Sequence, residues 1–545
     1  MLASAHVDTF TRDNLPDPAT WPELLFTLPE LAYPPLLNCA VELLDRVAER
    51  RGAGQRCLVT ATETWTYGDL VMRSNQVARV LVQELGLVPG NRVLLRGPNN
   101  PWLVACWFGV VKAGGVAVAT MPLLRPAELR AIAEIGRVRL ALCDARFAAD
   151  LEAAGMPGLQ TLRYGDDGPD DLVQLCAAAP AAGFEPVATS ADDVCLLAFT
   201  SGTTGRPKAT MHFHRDVLAI ADTFSRHVLR PRPEDLFAGS PPIAFTFGLG
   251  GQVVFPLHAG AATLLLERAG PEQLLDAVGR HRVSVLFTAP TGYRAMAGAA
   301  RGADLGSLRR CVSAGETLPA ATWRAFHEAT GLRIIDGLGS TEMLHIFVSS
   351  SDDEIRPGFT GRIVPGYVAE VQDEAGGPLP AGEPGLLAVR GPTGCRYLRG
   401  DRQGAYVRRG WNVTGDVYVC DREGYFQYQA RADDMIISAG YNIAGPEVEE
   451  ALLRHPDVAE TAVVGVPNAE RGTIVKAFVV LRAGVAGTTE MVAELQDFVR
   501  REIAPYKYPR EIEFADALPR TATGKLQRFR LRDQEPAQPG PADSG

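Results

Sequence analysis

The nine residues from Thr200 to Lys208 read Thr-Ser-Gly-Thr-Thr-Gly-Arg-Pro-Lys: two glycines, four hydroxyls and two cations in one short stretch. Those types suit a loop that holds phosphate. Gly202 and Gly205 let backbone N–H groups turn toward an anion, the hydroxyls of Thr200, Ser201, Thr203 and Thr204 donate further hydrogen bonds, and Arg206 and Lys208 add charge. The loop is not of the Walker type, which places Lys and a hydroxyl directly after its second glycine. Here Arg206 and Pro207 intervene, and Ala209 follows the Lys. A polar surface turn after a strand is the plain alternative for this loop taken alone.

Three further stretches carry chemistry-bearing types. Asp336-Gly-Leu-Gly-Ser-Thr-Glu342 is a turn rich in glycine, at Gly337 and Gly339. It ends in the hydroxyl of Thr341 and the carboxylate of Glu342, hard oxygen donors suited to a magnesium ion that also touches phosphates. Trp411-Asn-Val-Thr-Gly-Asp416 sets a carboxylate after a tight turn, where it can accept hydrogen bonds from ribose hydroxyls. Pro519-Arg-Thr-Ala-Thr-Gly-Lys525 ends a loop near the C-terminus in a single Lys. Taken singly, each has an ordinary reading: Asp beside Gly is a turn former, and a Lys near a terminus is solvated.

The elements that must position these stretches alternate. A short apolar run at 194–199, bounded by turn residues, predicts a buried strand that delivers the 200–208 loop. Strands over 92–95, 115–118, 140–143, 262–266 and 283–287 alternate with helical patterns such as 102–112, which implies mostly parallel sheets covered by helices. Thr66 with Asp69 resembles a capping box, and Leu70, Val77, Leu81 and Leu85 follow at helical spacing. Residues up to about 35, rich in Pro and aromatics without a period, read as an arm lying on the body, and 38–47 as an amphipathic segment.

From about 360, Gly/Pro-rich turns separate short alternating strands such as 385–389 and 424–428, a small β-rich portion completing the large domain. After the charge cluster Arg431-Ala-Asp-Asp434 comes a compact pattern of helix 447–454, strands 461–466 and 475–481, and helix 489–503. The expected fold class is α/β: a large N-terminal domain of mostly parallel, helix-covered sheets with a small β-rich portion, then a small α+β C-terminal domain. The expected division is 1–431, 434–533 and a Pro-, Gly- and Ala-rich disordered tail at 534–545.

A chain of 545 residues implies at least two domains. Net charge is −10 with the basic residues scattered, which argues against a nucleic-acid partner. Nine cysteines lie far apart with no Cys-x-x-Cys pair, signalling neither a zinc site nor a disulfide framework and fitting a reducing, intracellular setting. The first ten residues lack a basic region followed by an apolar one, and the longest apolar stretch, 102–111, is about half a membrane span. The expectation is a cytoplasmic protein with no membrane partner.

Together and in this order, these stretches resemble the adenylate-forming superfamily that includes acyl- and aryl-CoA ligases, firefly luciferase and the adenylation domains of peptide synthetases. The resemblance runs from about residue 30 to 532. It implies ATP and CoA as co-substrates and Mg2+ as cofactor. An acid carboxylate attacks the α-phosphorus of ATP, giving an acyl-adenylate and pyrophosphate, and a thiolate then displaces AMP. By the same resemblance Thr200, Ser201, Gly202, Thr203, Thr204, Gly205 and Lys208 hold the β- and γ-phosphates, with Asp336 and Gly337 in the same nucleotide site. Thr341 and Glu342 stand beside the phosphates, Glu342 as the metal ligand, and Asp416 and Arg431 grip the ribose. Lys525 touches the α-phosphate and the substrate carboxylate. Asp433 falls on the hinge, and Ser438, Ala439, Gly440 and Tyr441 line the thiol tunnel once the small domain rotates. The implied catalytic set is Lys525, Glu342 and Thr341. Many members carry Lys where this chain has Ile437.

The run from Gly339 to Phe347 is similar to that of benzoate-CoA ligases, and 9–16 and 21–26 resemble the aerobic 2-aminobenzoate-CoA ligase branch. By matching motifs, Thr246, Phe247, Ala314, Gly339, His345 and Ile346 surround the ring. Phe247 and Ile346 would supply flat apolar walls, while Ala314 and Gly339 leave room for an aromatic ring. On residue type alone, Phe247 reads equally as core packing and His345 as a core histidine bonded to backbone. The implied substrate is a small aromatic carboxylic acid, 2-aminobenzoate first and benzoate or salicylate next, handled by a monomer or homodimer. Two alternatives stand beside it: an aryl-AMP ligase loading a carrier-protein phosphopantetheine, and a non-catalytic adenylate-binding protein, which would not need Lys525.

Overall fold

The computed structural model describes residues 3–532 except 167, 180–182, 201–206, 401, 433, 439–440, 469–471 and 522–525. Two helix-covered sheets make the large body. The first has six strands in the order Gln160–Tyr164, Leu140–Asp144, Arg92–Arg96, Val116–Thr120, Val194–Thr200 and Lys208–Phe213. All its neighbours are parallel except the last pair. Arg92–Arg96 and Leu140–Asp144 are buried along their whole length. A strand buried on both faces reads as a continuous apolar run rather than an alternation, which is why these strands are legible as short apolar bursts.

The second sheet has nine strands. Its core runs parallel through Ile334–Gly339, Arg310–Ala314, Val285–Thr288, Leu236–Gly239, Ala262–Leu264 and Arg56–Val59. Ile346–Ser349 turns back antiparallel against Ile334–Gly339. The C-terminal ends of these parallel strands therefore share one edge, where ligands of open α/β sheets bind.

The apolar stretch around 102–111 is a helix, Pro101–Lys112, buried at every residue but Trp102. Asn100 caps it by accepting from the Leu103 N–H at 2.9 Å, and Pro101 presets its first turn. Lys112 closes its far end, fully buried and held by Asp45 at 2.8 Å and Asn75 at 2.8 Å. Among the described residues no helix is long and apolar enough to cross a membrane. The Thr66 box forms with both of its hydrogen bonds and starts the helix Tyr67–Gln83.

The β-rich portion is a five-stranded antiparallel sheet centred on Pro384–Arg390 and Trp411–Cys420, with Phe426–Arg431 paired to the latter. The strand expected at 424–428 begins two residues late. Asp421 accepts from Glu423 and Tyr425, and Gly424 takes φ +81°, so the turn consumes the first residues. The N-terminal arm lies on this sheet, the Glu23 N–H donating to the Gly410 carbonyl at 2.8 Å. The segment expected as amphipathic at 38–47 opens with a wide π-type turn, Val41–Asp45, before the helix Arg46–Arg51.

Past residue 435 a separate cluster forms around Ile436, Val448, Leu452, Val463, Val479 and Leu495. It joins the sheet Val458–Asn468, Gly472–Leu481 and Glu511–Phe514 to the helices Gly445–Leu453 and Thr489–Glu502. Ser438–Asn442, which reads as a loop in sequence, is largely a tight hairpin, with Ser438 paired to Tyr441 and Ile437 to Asn442.

Candidate active site

The loop rich in Gly and Thr hangs on a hairpin. Val194–Thr200 pairs with Lys208–Phe213 so that Thr200 faces Lys208, and these two residues are the posts of the loop. The first five residues of Val194–Thr200 are buried and the last two reach partial exposure, which brings the loop to the surface of the sheet. Ser201, Gly202, Thr203, Thr204 and Gly205 lie outside the described residues.

Around Lys208 the charges converge. Burial and the nearby Arg402 pull its ammonium below the usual range, Glu342 opposes them, and Arg431 adds to the lowering. Glu342 accepts a 2.6 Å hydrogen bond from the Tyr397 hydroxyl, and the Tyr397 ring lies 5.9 Å from the Lys208 ammonium. Burial and Glu342 both push the Tyr397 phenol up, so it stays protonated and remains a donor. Tyr397 reaches this spot because its neighbours pair with the hairpin: the Met211 N–H donates to the Arg396 carbonyl and the Leu398 N–H to the Ala209 carbonyl. The Ser340 hydroxyl meets that of Tyr406 at 3.1 Å, and Thr341 offers its backbone to the buried His212.

Asp416 and Arg431 are cross-strand partners, 2.9 Å apart, and Arg431 also donates to the Thr414 carbonyl at 3.1 Å. Gly415 takes φ +75°, and a Cβ there would approach the Arg431 guanidinium to 3.1 Å. Asp336, on Ile334–Gly339, lines a narrow cavity with Leu318, Trp323 and Thr360. Burial lifts its carboxyl well above the usual range, and one of its oxygens has no partner. The buried phenol of Tyr418 is raised by burial and then by Asp416 and Asp336. Gly337 has a different use, since a Cβ there would meet the Ile346 side chain.

The six residues expected to surround a ring gather at the shared strand edge. Phe247 lies in the short helix Thr246–Leu249, its ring 5.8 Å from His345 and 5.5 Å from Phe287. His345 is buried against Phe255 at 4.5 Å and Phe224 at 5.6 Å. Burial pushes its pKa down to about 3 against a weak contact with the Phe247 backbone, and neither ring nitrogen is in a well-formed hydrogen bond. It is thus a neutral imidazole whose one backbone neighbour is Phe247. A Cβ on Gly250 would run into that ring, and one on Gly339 would come 2.7 Å from the His345 carbonyl oxygen. Gly339 faces Ile346 in register, and Ala314 faces Gly337. Thr246 is half-buried, and among the described residues its hydroxyl takes part in no hydrogen bond.

Lys525, Asp433, Ala439, Gly440 and the tail at 534–545 lie outside the described residues, while Ser438 is buried in its hairpin. The residues flanking the Lys525 loop are described. Arg520 donates to Glu316 at 3.3 Å and the Leu526 N–H to the same Glu316 oxygen at 3.0 Å. Glu316 follows Ala314 by two residues, so one carboxylate ties that loop to the edge of the ring pocket. Sequence reasoning missed Tyr397, Arg402 and Tyr406. No spacing marks them, because each acts singly across a long chain separation.

Residues 44–397 match the family model described as AMP-binding enzyme, and 447–525 the AMP-binding enzyme C-terminal domain. The chain is 35% identical over 516 residues to the benzoate–CoA ligase of Thauera aromatica, covering 93% of this chain and 98% of that one. It is 33% identical to the 3-hydroxybenzoate–CoA ligase of Aromatoleum sp. (strain CIB), covering 91% and 97%. Among solved structures, the anthranilate CoA ligase AuaEII in complex with anthranoyl-AMP superimposes with a TM-score of 0.87 at 34% identity, covering 93% and 98% of the two chains.

Proposed function

The chain belongs to the AMP-binding enzyme family, and on that premise we propose that it is an AMP-forming 2-aminobenzoate–CoA ligase, with benzoate or salicylate the next acids in preference. As an acid–thiol ligase it first joins the acid to AMP with release of pyrophosphate, then passes the acyl group to the thiol of CoA. Both steps crowd negative charge. Lys208, Arg402 and Arg431 form the cationic surround for the phosphates, and Tyr397 fixes one oxygen of Glu342. Glu342 and the hydroxyls of Ser340 and Thr341 are hard oxygens that suit Mg2+, which when bound supplies charge neutralisation at the departing pyrophosphate. Asp416 accepts from the ribose hydroxyls. Residues 434–533 rotate about Asp433, offering Lys525 for the first step and the segment Ser438 to Tyr441 for the second.

The observation that carries the choice of acid is Thr246. It begins the helix bearing Phe247, in a pocket otherwise walled by Phe247, Ile346, Ala314 and Gly339, and its hydroxyl has no partner among the described residues. The neutral His345 is a second polar group behind the same ring. An ortho-amino group gives the hydroxyl a partner. Benzoate leaves it unpaired, at a cost of about 1–3 kcal/mol, or roughly ten- to hundredfold in kcat/KM. A panel of ring-substituted acids assayed with ATP and CoA tests the reading, and benzoate equal to 2-aminobenzoate would refute it. Thr246→Ala is expected to lower kcat/KM for 2-aminobenzoate far more than for benzoate. A ratio of the two that stays within about twofold assigns the ring substituent to another residue.

Asp416→Ala is expected to raise the KM for ATP by roughly ten- to hundredfold, since a hydrogen bond to a charged group is worth about 1.5–3 kcal/mol. The KM for the acid should hardly move. Initial rates with each substrate varied in turn separate the two, and an equal rise in both would place Asp416 away from the ribose.

A further inference from the structure

Cys39, Cys195 and His214 stand far apart in sequence and meet in the fold. Cys39 precedes the turn Val41–Asp45, Cys195 is the second residue of Val194–Thr200, and His214 opens the helix His214–Ile220. All three are buried. The two sulfurs are 4.0 Å apart, and His214 Nδ1 is 3.3 Å from the Cys39 sulfur. The Cys39 backbone N–H donates to the same Nδ1 at 3.1 Å. That bond fixes the tautomer: Nδ1 carries no proton, and the basic nitrogen of the ring faces the Cys39 thiol. The absence of a Cys-x-x-Cys pair conceals this grouping, because its members converge only through tertiary structure.

We propose that Cys39 and Cys195 are a redox modification site, a thiol pair that hydrogen peroxide closes into a disulfide with His214 accepting the Cys39 proton. Geometry assigns their order: His214 Nδ1 lies 3.3 Å from the Cys39 sulfur, so Cys39 is the attacking thiol and Cys195 the resolving one. Contact with Cys195 and His214 draws the Cys39 thiol down against burial, while burial pushes the Cys195 thiol up. The Cys39 thiolate attacks one peroxide oxygen: an S–O bond forms, the O–O bond breaks, and the departing hydroxide takes the proton held on His214 and leaves as water. The Cys195 thiol then attacks the sulfenic sulfur. An S–S bond forms, the S–O bond breaks, and the leaving hydroxide takes the Cys195 proton as a second water. Two thiols lose two electrons and one peroxide gains them.

Closing the pair needs the sulfurs to approach from 4.0 Å to about 2.05 Å. The same donor types could suit a soft metal ion, since the three ligand atoms lie within 4.8 Å of one another. One feature disfavours it: among the described residues no fourth donor joins the three, as a structural zinc site would need. Peroxide is small enough to enter during local opening. The resulting bond would tie the 38–40 segment to the foot of the hairpin whose far end is the 200–208 loop.

The test uses the purified full-length chain, treated with hydrogen peroxide at neutral pH, thiol-blocked, digested and mapped by mass spectrometry. The expected result is a peptide pair linked through Cys39 and Cys195, a loss of two hydrogens per chain, and reversal by dithiothreitol. His214→Asn keeps an acceptor near the Cys39 N–H but removes the base, and should slow linkage roughly tenfold. Absence of the linked pair overturns the proposal, as does linkage that forms only in denaturant. Zinc that copurifies at one per chain and protects both thiols from alkylation also overturns it, and an unchanged rate in His214→Asn removes the part assigned to the imidazole.

Discussion

Lys525→Ala is expected to slow aryl-adenylate formation by about 10²–10³-fold, while conversion of pre-made aryl-adenylate to the thioester stays within a few-fold of the unmodified chain. In the first step two anions must meet, the acid carboxylate and the α-phosphate, and charge grows as pyrophosphate departs. An ammonium placed between them acts where the charge develops and has no such duty once AMP is the leaving group. Arg520 and Leu526, on either side of the Lys525 loop, both bind Glu316, two residues past Ala314. Pyrophosphate exchange and single-turnover thioester formation separate the half-reactions. Equal loss in both would remove the special role of Lys525.

Arg396→Met should cost the fold about 3–5 kcal/mol. Arg396 and Asp216 form an ion pair of 2.7 Å in which both side chains are fully buried. Asp216 also accepts the Phe213 N–H at 3.0 Å at the start of its helix, and the guanidinium stacks 4.0 Å from the Phe213 ring. Methionine fills much of the volume but removes the direct ion-pair partner of the buried Asp216 carboxylate, leaving only the more distant charge of Arg215. The double variant Arg396→Met with Asp216→Asn should recover a large part of the loss, because the uncompensated charge and not the missing attraction dominates. Denaturant unfolding monitored on the large body measures both. A single variant within about 1 kcal/mol of the parent would mean that water reaches the pair. The same pair anchors the segment bearing Tyr397, so damage there should also lower adenylation.

The parts of this molecule that were legible in sequence are those whose physics is local. A strand buried on both faces shows as an apolar burst, so 194–199 and 140–143 were found to within a residue or so. The Thr66 box needs only residues three apart. Glycine-rich turns ending in a hydroxyl or carboxylate marked Glu342 and Asp416. Pairings across the fold left no such trace. Tyr397 reaches Glu342 over 55 positions and Cys39 meets Cys195 over 156, and nothing in the neighbourhood of either residue encodes the meeting. Turn chemistry moved the edges of elements: Asp421 delayed a strand, and the 438–441 stretch closed into a hairpin because its flanking residues, Ile436 and Ile443, both enter the C-terminal core. His345 lies 5.8 Å from Phe247, but its packing against Phe224, Phe255 and Gly250 comes from distant parts of the chain and leaves no local sign in the sequence.

Glu316 joins two things that are usually discussed apart. Its backbone follows the end of the strand Arg310–Ala314, and its carboxylate holds Arg520 and Leu526. An acid that stiffens the strand end therefore also firms the seat of the C-terminal portion. The relation is reciprocal as a matter of thermodynamic linkage: whatever factor of affinity the docked portion lends to the acid, the bound acid lends back to docking. The Glu316 contacts share any such linkage with Arg294 on Glu460 and the Ala321 N–H on Glu450.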